Sequence, residues 1–299
     1  MTPISACIWA DGWAEEAAKL YTGLFPDASV TETAYFSKDG SELHGQSEGS
    51  VMVVELTLGG QALTLLNGGR MFSPNPAMSF FVFINDREEI DRLWAALVEG
   101  GKAMMGLGAY PWCEHYGWVV DRFGVSWQLM MADPGALGQV IVPALMFTQG
   151  AARKAAEAMA RYGEVLGGYE EIDVSHYPPG TGANEGLVMH GQYRIAGQPL
   201  IAFDSPMDHG FGFTPGQSLQ VFPAGQAETD RIWGALTHVP EAEQCGWLCD
   251  AYGLSWQVIP QGFSDYINGP DKAGQARARQ AMFAMKKLDI AALKAAYEG

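Results

Sequence analysis

The chain carries the sequence Gly117-Trp118-Val-Val-Asp121-Arg-Phe-Gly124-Val-Ser-Trp127-Gln128 and repeats it as Gly246-Trp247-Leu-Cys-Asp250-Ala-Tyr-Gly253-Leu-Ser-Trp256-Gln257. Each copy predicts a hairpin, because an Asp-x-x-Gly turn separates two short apolar runs. Asp121 and Asp250 begin these turns, which favours a structural role over a catalytic one. Neighbouring strand residues point to opposite faces, so if Gln128 and Gln257 face a cleft, the preceding tryptophans pack against helices.

The repetition extends well beyond this hairpin. Residues 79–97 recur as 218–236, and residues 60–63 recur as 197–200. The two copies lie about 130 to 140 residues apart, which is too long for a solenoid repeat and suits a duplicated domain. The length of 299 residues also fits two domains of ordinary size.

Within the first copy, hydrophobic periodicity and turn residues predict a series of strands and helices. The predicted strands are 4–9, 30–37, 51–58, 61–67, 79–84, 116–121 and 125–131, and the predicted helices are 13–25 and 86–98. We interpret each copy as two strand–helix–three-strand units. The predicted fold is α+β, with four βαβββ units in two domains, residues 1–135 and 136–262. A helical tail, residues 263–299, follows, with helices over 273–287 and from Asp289 to Tyr297.

Composition limits the possible functions. Lys and Arg number 18 against 34 Asp and Glu, a net charge of −16, which disfavours binding to nucleic acids and anionic membranes. No apolar run approaches the roughly 20 residues that span a bilayer, and we expect no signal peptide. Four cysteines in unremarkable surroundings suit a reducing cytoplasm. Cys245 and Cys249, if on one strand, would lie about 13 Å apart, too far for a disulfide.

The duplicated pattern resembles the PhnB-like, or 3-demethylubiquinone-9 3-methyltransferase-like, family of the vicinal oxygen chelate superfamily, which includes glyoxalase I and bleomycin-resistance proteins. The resemblance rests on Glu15-Glu16-Ala17, Leu66-Asn67-Gly68-Gly69, Glu89-Ile-Asp91-Arg-Leu-Trp94 and the repeated hairpin. It covers nearly all of residues 1–262. It implies paired βαβββ units whose curved, mostly antiparallel sheets enclose a cleft.

Metal-using members of this superfamily hold a divalent ion in the cleft with His, Gln and Glu side chains. The resemblance places Ala6 with Ile8, Ser79 and Gln128 at these positions, and Ala144, Ser218 and Gln257 in the second copy. Divalent cations need several anionic or imidazole ligands, so we expect no metal and no cofactor. The stretch 180–186 is the best glycine-rich candidate for a methyl-donor loop, but it is predicted to lie between strands rather than before a helix.

Candidate ligand-binding residues follow from the predicted strands. In the first copy they are Ile8, Leu65, Asn67, Phe72, Ser79, Phe81 and Gln128, with Trp112, His115 and Trp118 at the rim; in the second they are Asp204, Ser218, Trp247 and Gln257. Aromatic groups with a few neutral polar ones suit a small, partly apolar molecule. The same side chains could simply fill the interior. His115 is a weak candidate for acid–base catalysis.

Three hypotheses of function remain from the sequence. The first is metal-independent binding of a small, partly apolar molecule in an inter-sheet cleft. The second is a metal-dependent lyase, isomerase or dioxygenase with atypical ligands, recruiting His115 or Glu114. The third is a self-association module with filled clefts and a basic tail. The two copies could pair within one chain as a pseudo-dimer, or two chains could form a homodimer.

Overall fold

The computed structural model describes residues 3–38 and 45–299; His44, one of the six histidines, lies outside this range. The strands of the first copy are β1 Ile4–Ala10, β2 Ser29–Tyr35, β3 Val51–Leu58, β4 Gln61–Asn67, β5 Met78–Phe83, β6 Lys102–Tyr110, β7 Cys113–Val120 and β8 Ser126–Met130. Those of the second copy are β9 Ile141–Phe147, β10 Glu170–His176, β11 Val188–Ile195, β12 Gln198–Asp204, β13 Gln217–Val221, β14 Trp247–Cys249 and β15 Ser255–Val258.

Helices follow the first strand of each unit. They are α1 Ala14–Leu24, α2 Arg87–Val98, α3 Ala155–Leu166 and α4 Gln226–Leu236. The C-terminal tail adds α5 Phe263–Ile267, α6 Lys272–Phe283 and α7 Ile290–Glu298. The predicted α+β fold with four repeated units and a helical tail is confirmed.

Each sheet combines strands from both copies. Sheet A has the order β14-β15-β13-β1-β4-β3-β2, and sheet B has the order β10-β11-β12-β9-β5-β8-β7-β6. The copies meet where β1 pairs with β13, with Cys7 opposite Ser218, and where β5 pairs with β9, with Ser79 opposite Ala144. The boundaries 1–135 and 136–262 therefore describe sequence repeats, neither of which builds a sheet from its own strands alone.

The two units of one copy pack back to back through their helices. Tyr21 of α1, which lies on sheet A, contacts the Trp127 ring of sheet B at 5.1 Å. Tyr162 of α3, which lies on sheet B, contacts Trp256 of sheet A at 5.0 Å. Both tryptophans are fully buried, as their predicted position on the helix side requires. The helix layers of both sheets thus form one continuous core.

The predicted elements differ from the structure mainly in the strand that follows the helix in units two and four. Strand β6 was not predicted, because Lys102–Tyr110 contains two glycines and no β-branched residue. The fourth unit has no counterpart of β6; a short 3₁₀ turn, Pro240–Ala242, precedes β14. Helix α6 ends at Phe283, four residues before the predicted 287, and α5 was not predicted.

The cysteines are all free thiols. Cys245 lies just before β14 with a φ of 50°, so the stretch from Cys245 to Cys249 is a strand only in its second half.

Among the helices within the described ranges, none combines the length and apolar character needed to cross a bilayer.

Candidate functional site

The face of each sheet turned away from helices α1–α4 is called its inner face. On sheet B it carries Ser79, Phe81, Tyr116, Trp118 and Gln128 from units of the first copy, and Val142, Ala144, His190 and Ile201 from the second. The Phe81 and His190 rings lie 5.5 Å apart although β9 and β12 separate their strands. Three inter-strand spacings of about 4.8 Å separate β11 from β5, so the two side chains reach across the intervening strands. The inner face of sheet B, whose side chains are largely buried, is the candidate cleft of this sheet.

A chain of hydrogen bonds crosses the otherwise apolar floor of this cleft. The Tyr116 hydroxyl donates to Gln128 Oε1 at 2.5 Å, and Gln128 Nε2 donates to Ser79 Oγ at 2.9 Å. All three residues are buried. Burial raises the pKa of the Tyr116 hydroxyl, which keeps it a proton donor at neutral pH.

An aromatic cavity adjoins this floor. It has a volume of about 400 Å³ and is lined by Tyr110–Glu114 and Met130–Ala132. The Tyr110 and Trp112 rings stack at 5.1 Å, and both contact Tyr116 edge-on. Trp112 is 57% exposed, so one face of its ring is open to a ligand.

The inner face of sheet A is polar. The hydroxyls of Ser5 and Thr64 both donate to Gln220 Oε1 at 2.9 Å, and Gln220 Nε2 donates to Gln257 Oε1 at 3.3 Å. Gln257 Nε2 in turn donates to Ser218 Oγ at 3.0 Å. Trp247 lies at the rim of this face, with its ring 6.0 Å from Trp9, which also contacts Phe72 at 5.1 Å.

The predicted cleft set is thus divided between two clefts. Ser79, Phe81, Trp118 and Gln128 come together on sheet B with Trp112 beside them, whereas Phe72, Ser218, Trp247 and Gln257 belong to sheet A. Their roles as ligand contacts stay predictions.

The prediction that Ile8 and Leu65 line the cleft is wrong. Both side chains are fully buried in the core on the helix side of sheet A, together with Ala6. The inner-face residues are their neighbours, Cys7 and Thr64, which lie side by side in the parallel pair of β1 and β4. A one-residue slip in register moves every side chain of a strand to the other face.

Asn67 and Asp204 do not lie on the inner faces; each is buried at the start of a helix. Asn67 Oδ1 accepts from the amide of Ala14 at the start of α1, and its Nδ2 donates to the carbonyl of Val51. Asp204 holds the start of α3 in the same way, with Oδ1 accepting from Ala155 N and Oδ2 from Val188 N. Each side chain therefore ties a helix N-terminus to the adjacent strands.

We expect the substitution Asn67→Ala to lower the free energy of unfolding by about 2 kcal/mol, since it removes two buried hydrogen bonds and leaves an orphan helix N–H. Urea unfolding followed by tryptophan fluorescence measures the change. Asn268→Ala, at an exposed amide that bonds only within the C-terminal tail, is the control. Equal effects of the two substitutions would contradict the role assigned to Asn67.

His115 does not face the cleft. Its Nε2 lies 2.6 Å from Asp91 Oδ1, and its Nδ1 lies 3.0 Å from Arg87 Nη1, both on α2. Gly117, two residues along the same strand, lies under the Trp94 ring of the same helix. The expected position of His115 at the rim of the cleft is therefore wrong, because its side chain links β7 to α2; a catalytic role for it stays a prediction.

His190 is a cleft residue that the sequence analysis did not select. It lies on β11, opposite Phe81, and burial lowers the pKa of its imidazole while the nearby Asp173 carboxylate opposes the shift. A neutral imidazole in an aromatic cleft can both donate and accept a hydrogen bond. Its sequence surroundings contained no motif that could have indicated this role.

Asp121 and Asp250 have the structural role that the turn pattern predicted. Asp121 accepts four hydrogen bonds, from the Tyr21 hydroxyl, Trp127 Nε1 and the amides of Phe123 and Val125. Asp250 accepts the four equivalent bonds in the second copy. Burial raises the pKa of both carboxyls, and these donors oppose the shift.

The residues at the superfamily's metal positions do not fit a divalent cation. On sheet B the three side chains nearest these positions are Ala144, Ser79 and Gln128; on sheet A they are Cys7, Ser218 and Gln257. Burial raises the pKa of the Cys7 thiol to about 12, which disfavours the thiolate that a metal would need. Within residues 3–38 and 45–299, no three His, Cys, Asp or Glu side chains cluster as metal ligands would.

Comparison with known families supports this architecture. The model of the 3-demethylubiquinone-9 3-methyltransferase family matches residues 2–130 and again residues 139–259. The chain belongs to this family. A PhnB protein from Bacillus cereus, described as a 3-demethylubiquinone-9 3-methyltransferase, is 34% identical over 42% of this chain and 96% of its own, with a TM-score of 0.39.

The tandem PhnB-like chain also shares its fold with glyoxalase I. The enzyme from Zea mays is 11% identical, with a TM-score of 0.55 over 87% of this chain and 93% of its own. This likeness extends across both copies and concerns the fold alone. Among curated proteins, none matches the chain.

The glycine-rich stretch 180–186 of this PhnB-like chain joins β10 to β11. It contains only a three-residue 3₁₀ turn, Gly182–Asn184. A methyl-donor or nucleotide loop of the common kind would follow a strand and open a helix. The segment therefore lacks the arrangement that the methyltransferase name of the family would suggest.

Proposed function

We propose that this PhnB-like chain binds a small, partly apolar molecule in the cleft of sheet B, without a metal ion. The observation that carries the proposal is the aromatic cavity of about 400 Å³ beside the Tyr116–Gln128–Ser79 chain. Trp112 offers a ring for stacking, and the buried Tyr116–Gln128–Ser79 chain holds the Tyr116 ring against it.

The net charge of −16 favours a neutral or cationic ligand over a polyanion. We also propose a cytoplasmic location, which the free thiols support, and either an internal pseudo-dimer or a homodimer as the assembly. The metal-dependent alternative named His115 or Glu114 as a ligand; His115 faces α2, whereas Glu114 lines the aromatic cavity.

Nile red, a neutral aromatic dye with one carbonyl acceptor, is a suitable probe of this cleft. We expect saturable binding, and we expect Trp112→Ala to weaken it about tenfold through loss of ring stacking and buried area. Fluorescence titration measures the affinity. Met207→Ala, at a side chain that is 66% exposed and lines neither described cavity, serves as the control.

The same titration with EDTA tests independence from metal. An unchanged affinity is the expected result. The proposal fails if Trp112→Ala binds the dye as tightly as the unmodified chain, or if EDTA removes binding from both.

A further inference from the structure

Sheet A has one strand fewer than sheet B, and the missing strand belongs at one edge. In sheet B the edge is β6, nine residues long, whereas in sheet A the edge is β14, only three residues long. The missing strand would have come between α4 and β14. An uncovered edge exposes backbone groups that need partners.

The C-terminal tail supplies those partners. The amides of Cys245 and Gly246, just before β14, donate to the carbonyls of Met285 at 2.9 Å and Lys286 at 2.7 Å. Leu288 is buried against Gly246, whose φ of +89° and lack of a side chain allow the close approach. The segment between α6 and α7 therefore lies beside the β14 edge.

The other part of the tail reaches the opposite edge of sheet A. Lys272, Gln275, Ala276 and Arg279 share one face of α6 and form one wall of a cavity of about 610 Å³. The other wall is β2 and the residues that follow it, including Glu32 and Phe36. Because β2 and β14 are the two edges of the sheet, the tail reaches both of them.

The tail has a small core of its own and is bonded to the body around the segment between α6 and α7. Ile267, Ala278 and Leu293 form its own small core, joining α5, α6 and α7. The Gln226 side chain holds it by donating to Leu288 O and accepting from Ile290 N, and Lys287 pairs with Asp230. These contacts concentrate at residues 285–290, which makes this segment the anchor.

From these observations we infer that residues 263–299 form a strap that closes the inner face of sheet A and must open to admit a ligand there. Sheet B differs, because the side chains that cover its inner face come from its own strands, such as Met105, Trp118 and Phe203. The strap makes the two clefts of the duplicated chain unequal. The inference does not depend on ligand binding in sheet B.

Two buried thiols allow a test in the full-length chain. Cys7 lies on the inner face of sheet A, beneath the strap, and is 1% exposed; Cys113 lies at sheet B and is 8% exposed. We would label the native chain with iodoacetamide at pH 8.5 in increasing, sub-denaturing urea and follow each thiol by peptide mass spectrometry. If the strap opens on its own, Cys7 labelling depends on urea more weakly than global unfolding does.

A loosened strap gives the second measurement. In Gln226→Ala/Leu288→Ala we expect the Cys7 labelling rate to rise at least tenfold and the Cys113 rate to stay within twofold. Lys294→Ala, which removes only a pair within α7, should leave both rates unchanged. Lys287→Asp removes the ion pair with Asp230 and should raise the Cys7 labelling rate. Adding Asp230→Lys restores a pair of opposite charges and should lower that rate again.

Two results would overturn the proposal. One is a Cys7 rate that stays at its original value in the loosened variant. The other is Cys7 labelling that follows Cys113 and global unfolding in urea, since the thiol would then be protected by the whole fold rather than by the strap.

Discussion

Asp121→Ala is expected to lower the free energy of unfolding by about 4 kcal/mol or more. The substitution removes the single acceptor of four buried donors: the Tyr21 hydroxyl, the Trp127 indole and two backbone amides. Each buried donor left without a partner costs about 1 to 3 kcal/mol. The affected residues join α1 on sheet A to the hairpin of sheet B, so the loss falls on the contact between units.

Urea unfolding monitored by tryptophan fluorescence measures this effect. Asp133→Ala is the matched control, because Asp133 is exposed and accepts only the amide of Gly135. Tyr21→Phe removes one donor together with its need for a partner, and should cost only about 1 kcal/mol. Asp250→Ala should reproduce the Asp121 result, since the second copy repeats all four bonds. A loss below 2 kcal/mol for Asp121→Ala would contradict the structural role.

The duplication shows why the repeated hairpin was interpretable from sequence. Trp127 and Gln128 differ sharply in polarity, so alternation along the strand separates a helix-side tryptophan from an inner-face glutamine. The turn residues Asp121 and Gly124 have a local function that any copy must keep. Local chemistry therefore predicted both the elements and the faces here.

Strands buried on both faces gave no such signal. In β1, Ile4–Ala10, six of seven residues are buried, so no contrast between the faces marks Cys7 as an inner-face residue and Ile8 as a core residue. His115 was placed at the rim because it precedes the predicted strand 116–121. The observed β7 begins at Cys113, and within this longer strand the His115 side chain faces α2.

The pairing between copies could not be predicted either. It depends on β1 meeting β13 and β5 meeting β9 across at least 59 residues of sequence, and short-range patterns carry no information on such contacts. The strap depends in turn on the strand missing from the fourth unit, a feature visible only once the sheet order is known.

The inner face of sheet A provides the second large effect. Gln220→Leu should lower the free energy of unfolding by about 3 kcal/mol. It takes the shared acceptor from Ser5 and Thr64 and a donor from Gln257, and each broken hydrogen bond is worth about 1 kcal/mol.

Replacing the whole group should cost far less. Sheet B has Val142, Ile201 and Phe81 at the equivalent positions, so Ser5→Val/Thr64→Ile/Gln220→Phe transfers its apolar set to sheet A. The bonds from Ser5 and Thr64 to Gln220 lose both partners, so neither leaves an unsatisfied group. Only Gln257 Oε1 loses its donor. We therefore expect the triple variant to be about 1 kcal/mol less stable than the unmodified chain, by the same urea measurement.

The comparison between the single and triple variants distinguishes two origins of the polar face. If hydrogen bonding alone sets the cost, the triple variant is more stable than Gln220→Leu. If the triple variant is less stable than the single one, the larger side chains have no room beneath residues 263–299, and packing against the tail rather than hydrogen bonding limits this face. The first result would mean that the inner faces of the two sheets differ by exchangeable side chains on a common scaffold.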